Sequence, residues 1–132
     1  MLKKKIAILP VLFTILIFVI SGCSKTTSIV INAGNSITTE MSFAKDINPI
    51  FQKSCALGGC HAIGARAPDL TVDNSYNSLQ NGKYITANDP DNSMIMLWLT
   101  GKKSPAMPLG SGTNTDINAK IYAWIKQGAK NN

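Results

Sequence analysis

Apolar side chains are densest at the very start of the chain. From Ile6 to Ile20 only Pro10 and Thr14 interrupt them, and Lys3, Lys4 and Lys5 stand in front. Fifteen residues fall short of the roughly 20 that a permanent helical span requires, and they suit the apolar core of an export signal. Ser24 to Ser42 is rich in Ser, Thr and Asn, with Ile29-Val30-Ile31 as its one apolar patch. No long apolar period runs through it, so the expectation is a flexible tether, with an edge strand at the Ile-Val-Ile patch as the alternative. From Phe43 a helical period begins: Phe43, Ile47, Ile50 and Phe51 share one face. Pro49 breaks that pattern and predicts a kink, or a helix that starts near Asn48. Asp73 to Ser75 offers caps for a short helix ended by Gly82, and Asp89 to Ser93 does the same for Met94 to Leu99, ended by Gly101. Ser104 to Asn114 holds Pro105, Pro108, Gly110 and Gly112 and predicts a loop. Ile117, Ile121, Trp124 and Ile125 recur at 3–4 spacing, predicting a closing helix capped by Thr115 or Asp116 and stopped at Gly128. No alternation of period two appears after residue 42. The predicted class is all-α, with helices joined by long loops.

Composition narrows the possible roles. The chain has 132 residues, enough for one domain. Its 13 basic and 7 acidic residues become 10 and 7 once the three leader lysines are removed. A net charge of +3 excludes a strongly polycationic nucleic-acid binder. One histidine and three cysteines exclude most self-contained metal sites. The leader ends in Ile20-Ser21-Gly22-Cys23, which resembles the bacterial lipoprotein signal. That resemblance implies cleavage before Cys23, diacylglycerol on its thiol and acylation of the new N-terminus; an uncleaved signal anchor is the competing reading. More than one acyl chain meets the requirement for stable anchoring. The expected organisation is a signal peptide at 1–22, a lipidated flexible tether at 23–42 and a folded domain at 43–132. The protein is then expected on a membrane outside the cytoplasm, at the periplasmic face or the outer membrane. Ser24, in place of the Asp that retains some lipoproteins at the inner membrane, favours the outer one.

The most informative stretch is Cys55-Ala-Leu-Gly-Gly-Cys60-His61, which holds both remaining cysteines and the only histidine. The adjacent Cys-His pair is that of the C-x-x-C-H haem attachment motif. Two thiols add to porphyrin vinyl groups as thioethers, and the imidazole then lies under the iron. Here four residues separate the cysteines instead of two. On a regular helix five steps advance about 500° and leave the thiols roughly 140° apart. Gly58-Gly59 can relax this geometry, because glycine admits positive φ. The competing readings are a Cys55–Cys60 disulfide, which an oxidising compartment permits, zinc, which wants four ligands, and a pair of inert cysteines.

With these residues in place, Phe43 to Ala129 resembles the small class I-type c-type cytochromes. Phe43 to Phe51 is similar to that family's first helix. Pro68-Asp69-Leu70 is similar to its Pro-x-Leu segment, whose proline carbonyl accepts a hydrogen bond from the axial imidazole; here it follows His61 by seven residues. Asp89 to Ser93 resembles the loop before the penultimate helix, Met107-Pro108 the distal-ligand loop, and Trp124 to Ala129 the closing helix. The resemblance implies one covalent haem c on Cys55 and Cys60, with His61 as proximal iron ligand. It implies a class I cytochrome c-like fold, helices and long loops wrapped around the haem.

A single histidine rules out bis-histidine ligation within one chain, leaving Met, Lys, water or an open position opposite. Met41 ends the tether, and Met94 and Met96 lie on a short apolar helix where core packing claims at least one. Met107, between Pro105 and Pro108, is the candidate distal ligand, since prolines reduce the entropy lost when a loop is ordered. Lys102-Lys103 reads as a docking patch or as the solvated end of a helix. A six-coordinate haem suits electron transfer, so the expected role is a membrane-tethered one-electron carrier, not an enzyme, working between redox partner proteins. The alternatives are a haem-based gas or ligand sensor with a displaceable distal ligand, and a non-haem lipoprotein binding module stapled by a Cys55–Cys60 disulfide.

Overall fold

A computed structural model describes residues 25–132. The signal sequence at 1–22 and Cys23 lie outside the described residues. Five α-helices follow in order: α1 (Lys25–Ser36), α2 (Asn48–Ser54), α3 (Ser75–Asn81), α4 (Met94–Leu99) and α5 (Thr115–Lys126). A π-helical turn, Phe43–Ile47, runs directly into α2. Among the described residues there is no strand, in keeping with an all-α class. None of their helices is long and apolar enough to cross a membrane.

The break at Pro49 takes the second of the two forms expected of it. A regular α-helix begins only at Asn48, with Pro49 in its first turn, where a missing N–H leaves no intrahelical acceptor unpaired. The residues before it wind more widely, and the Asn48 N–H donates to the Phe43 carbonyl. Ser42 and Asp46 hold this turn reciprocally: Ser42 Oγ accepts from the Lys45 N–H at 3.3 Å, and the Ser42 N–H donates to Asp46 Oδ2 at 2.8 Å. Phe43, Ile47 and Phe51 are thereby all buried.

They meet an aromatic junction that fixes α2, α3 and α5 together. The Phe43 ring centroid lies 5.2 Å from Tyr76 on α3 and 5.3 Å from Trp124 on α5. Such tilted and edge-on pairs contribute about 0.5–1.5 kcal/mol each beyond the burial of their area. The two polar tips are satisfied just past α5: Tyr76 Oη donates to the Ala129 carbonyl at 3.1 Å, and Trp124 Nε1 donates to the Lys130 carbonyl at 2.9 Å. The cap of α5 is one residue earlier than expected. Asn114 Oδ1, and neither Thr115 nor Asp116, accepts from the Ile117 N–H at 3.1 Å.

The segment read as a flexible tether is a docked helix over most of its length. α1 covers Lys25–Ser36 and packs on α5, with Val30 fully buried and Gly34 buried beside Tyr122. The inward positions Thr27, Val30, Ile31 and Gly34 do follow helical spacing, but Thr27 is polar and Gly34 has no side chain. Hydropathy therefore hid the stripe. A helix of 12 residues is marginal alone; burying Val30 supplies about 1.5–3 kcal/mol towards docking it. The connection to the π-helical turn is bracketed by Gln127. Its Oε1 accepts from the Met41 N–H at 2.7 Å, and its Nε2 donates to the Thr39 carbonyl at 3.0 Å. Residues 25–42 thus belong to the folded unit, and the domain boundary expected at 43 is not a structural boundary.

Gly34 sets the approach distance of α1. A Cβ there would meet Tyr122 Cδ1 at 2.5 Å and the root of the same side chain at 3.0 Å, neither of which can swing away cheaply. Gly34→Ala gains about 1 kcal/mol of helix propensity and incurs an overpacking cost of about 1–3 kcal/mol. The expected outcome is net destabilisation, read as a lower Tm, while Ile29→Ala on the exposed side of α1 leaves Tm unchanged.

Candidate functional site

Residues 55–70 form an irregular, mostly exposed excursion between α2 and α3. Backbone hydrogen bonds organise it. The His61 N–H donates to the Cys55 carbonyl at 3.1 Å and the Cys60 N–H to the Leu57 carbonyl at 2.9 Å. The four-residue spacer is therefore a closed lobe that brings the end of the Cys-His motif back to its start. Gly59 sits at φ +79° within that lobe, whereas Gly58 needs no positive φ. Only one of the two glycines supplies the freedom that the long spacing requires.

His61 is held by its ring as well as its backbone. Nδ1 lies 3.1 Å from the Pro68 carbonyl and 3.1 Å from the Arg66 carbonyl. A carbonyl oxygen can only accept, so Nδ1 must carry the hydrogen and donate. In the neutral imidazole this leaves the lone pair on Nε2. An imidazole fixed in that tautomer by a backbone carbonyl is oriented as a metal ligand. The seven-residue interval to Pro68 is thus compatible with the hydrogen bond. The second acceptor, the Arg66 carbonyl, is a backbone atom that no sequence motif marks.

Pro68 and Leu70 are buried, which anchors the acceptor. The Leu70 N–H donates to the His61 carbonyl at 2.8 Å, and the Leu70 carbonyl accepts from Gln52 Nε2 on α2 at 2.8 Å. Gln52 Nε2 also reaches Asn48 Oδ1 at 2.9 Å, and Asn48 Nδ2 donates to the Val72 carbonyl at 3.2 Å. Between these, Asp69 is the local brace. Its Oδ1 accepts from Thr71 Oγ1 at 2.6 Å and the Thr71 N–H at 3.0 Å, and its Oδ2 accepts from Asn74 Nδ2 at 2.8 Å. The Thr71 hydroxyl and then its amide hold the Asp69 carboxyl below the usual carboxylate range. A lowered pKa means that the brace stabilises the fold above the ordinary carboxylate pKa and is lost as pH falls through the lowered one. The bracing contacts of Gln52, Asn48 and Asp69 are not part of the sequence reading; Asp69-x-Thr71 carries the local signature of an Asx turn, but Gln52 carries none.

Cys55 and Cys60 are both free thiols, Cys55 half-buried and Cys60 exposed. Burial first, and then the neighbouring Cys60, push the Cys55 thiol up to about 11. Among the described residues no three His, Cys, Asp or Glu side chains gather as a metal site. Within the excursion Leu57 is 50% and Ile63 75% exposed; elsewhere, in the Pro- and Gly-rich loop, Leu109 is 57% exposed. Met107 is half-buried against the core, and its N–H donates to the Trp98 carbonyl at 3.1 Å. Met41 and Met96 are buried in the core, which leaves Met94 and Met107 as the less buried methionines among the described residues. Asn118 ties the base of the same loop to α5, its Nδ2 donating to the Leu99 carbonyl at 2.8 Å.

Two outcomes check this geometry. Gly59→Ala should lower stability by about 1–2 kcal/mol, the cost of the left-handed region for a residue with Cβ, whereas Gly58→Ala should change it by less than about 0.5 kcal/mol; chemical unfolding curves compare them. With both thiols free, iodoacetamide should alkylate Cys60 ahead of Cys55 at neutral pH. The Cys55 rate should climb about tenfold per pH unit until its thiol titrates near 11. Equal rates at both cysteines by peptide mass spectrometry would contradict the arrangement.

No family model, no curated protein and no solved structure matches the chain.

Proposed function

We propose that the protein is a monohaem c-type cytochrome of class I type, anchored to a membrane by lipid on Cys23 and serving as a one-electron carrier. The observation that carries this reading is the His61 ring, whose Nδ1–H is committed to the Pro68 and Arg66 carbonyls so that Nε2 is left to bind iron. Cys60 immediately precedes it, and the Cys55 carbonyl closes the lobe on the His61 amide. Three features of the chain fit a haem: two free thiols, an oriented imidazole, and large apolar side chains exposed on the same excursion. A covalently bound haem would supply an iron that cycles between two oxidation states. The residues' own tasks are distinct. Cys55 and Cys60 would hold the group through thioether bonds, and His61 would ligate the iron. Pro68 and Arg66 hold the imidazole tautomer, and Met107, whose N–H donates to the Trp98 carbonyl, would supply a second protein ligand.

Ligation by a thioether raises the potential relative to bis-histidine ligation and leaves no open position for a substrate. That is why the reading is a carrier and not a catalyst, moving electrons between redox partner proteins. The anchor would confine it near membrane-associated partners and raise their effective concentration. In the reduced matured protein, carbon monoxide should bind slowly and incompletely, and the spectrum should be low-spin. Met107→Ala should turn the spectrum high-spin and admit carbon monoxide at once. Rapid, complete binding by the unmodified protein would point instead to a ligand sensor.

A further inference from the structure

Cys23 is two residues ahead of Lys25, where α1 begins. At 3.8 Å per residue, Cys23 Cα lies within about 15 Å of Thr27 Cα, four steps on. Thr27 lines one crevice with Leu97, Thr100 and Lys102, beside the end of α4. An acyl group on Cys23 would therefore enter the bilayer within four residues of this crevice. The chemistry of the corner suits a headgroup layer. Lys102 is exposed, and Lys103 Nζ lies 5.7 Å from the centroid of the half-buried Trp98 ring. Tryptophan is enriched at membrane–water interfaces, and a lysine close to an anionic lipid surface is attracted to it. The acidic group that lines the same crevice, Asp91, accepts a hydrogen bond from Tyr122 Oη at 3.3 Å.

We propose that the corner formed by Trp98, Lys102 and Lys103 is a docking surface for anionic lipid headgroups, which fixes the orientation of the domain on the membrane. This rests on the lipidation of Cys23 proposed above. The test uses the full matured protein on vesicles of phosphatidylcholine and phosphatidylglycerol, compared with a variant carrying a long Gly-Ser insertion between Ser24 and Lys25. A water-soluble amine-acylating reagent, read lysine by lysine by mass spectrometry, reports which amines face water. Lys102 and Lys103 should react at least about fivefold more slowly in the unmodified protein than in the insertion variant, the factor expected from lipid attraction on each lysine. Added salt should shrink the difference. Lys126, which donates to Asn35 at the far end of α1, and Lys130, paired with Glu40, should react equally in both. If both proteins float with the vesicles but Lys102 and Lys103 react alike, the docking surface is refuted and the anchor stands. If neither floats, the lipid reading fails and takes this inference with it.

Discussion

The hydrogen bond from His61 Nδ1 to the Pro68 carbonyl is the constraint on which the site depends. It decides which ring nitrogen carries the proton, and so which one can bind a metal. A single such bond contributes only about 0.5–1.5 kcal/mol net, too little to organise sixteen residues of irregular chain. Its geometry is maintained by what lies behind it. Pro68 and Leu70 are buried, Leu70 is tied at one end to the His61 carbonyl and at the other to Gln52, and Asp69 is tied to Thr71 and Asn74. The imidazole is oriented by a loop that is itself bolted to α2 and α3.

Those two helices are in turn set by the aromatic junction. Phe43 touches both Tyr76 and Trp124, so the π-helical turn that leads into α2, the start of α3 and the end of α5 share one apolar centre. The helices are short, and the site sits on the loops that leave them. This division follows from size: a domain of about a hundred residues has a limited core. The rigid part is spent on holding helix ends, and the chemistry hangs from them. Adding residues 25–42 to the folded unit enlarges that core through Val30 and Met41. It also shortens the distance between the folded unit and any lipid on Cys23.

Much of this was legible in the sequence, and the reasons are specific. Phe43, Ile47 and Phe51 announce their face because each inward position is large and apolar. Met94 to Leu99 stops before Gly101 and Thr115 to Lys126 before Gly128, where stop glycines were expected, but no side chain caps the first of these helices and Asn114 caps the second. The Cys-His motif is visible because the residue types are rare and adjacent. α1 was missed because its inward stripe includes a threonine and a glycine, so close approach substitutes for bulk. The second acceptor for His61 was invisible, since a backbone carbonyl has no residue type. Gln52 was equally opaque: its two contacts are with residues 4 and 18 positions away, the latter brought near only by the fold.

The central claim is that Cys55, Cys60 and His61 hold a covalent haem. The most direct test is mass spectrometry of the protease fragment spanning Cys55 to His61, from full-length protein made with a working cytochrome c maturation system. The account predicts a fragment heavier by one haem, with both cysteines blocked to alkylation. A fragment of unmodified mass, with two free or mutually bridged cysteines, would contradict it.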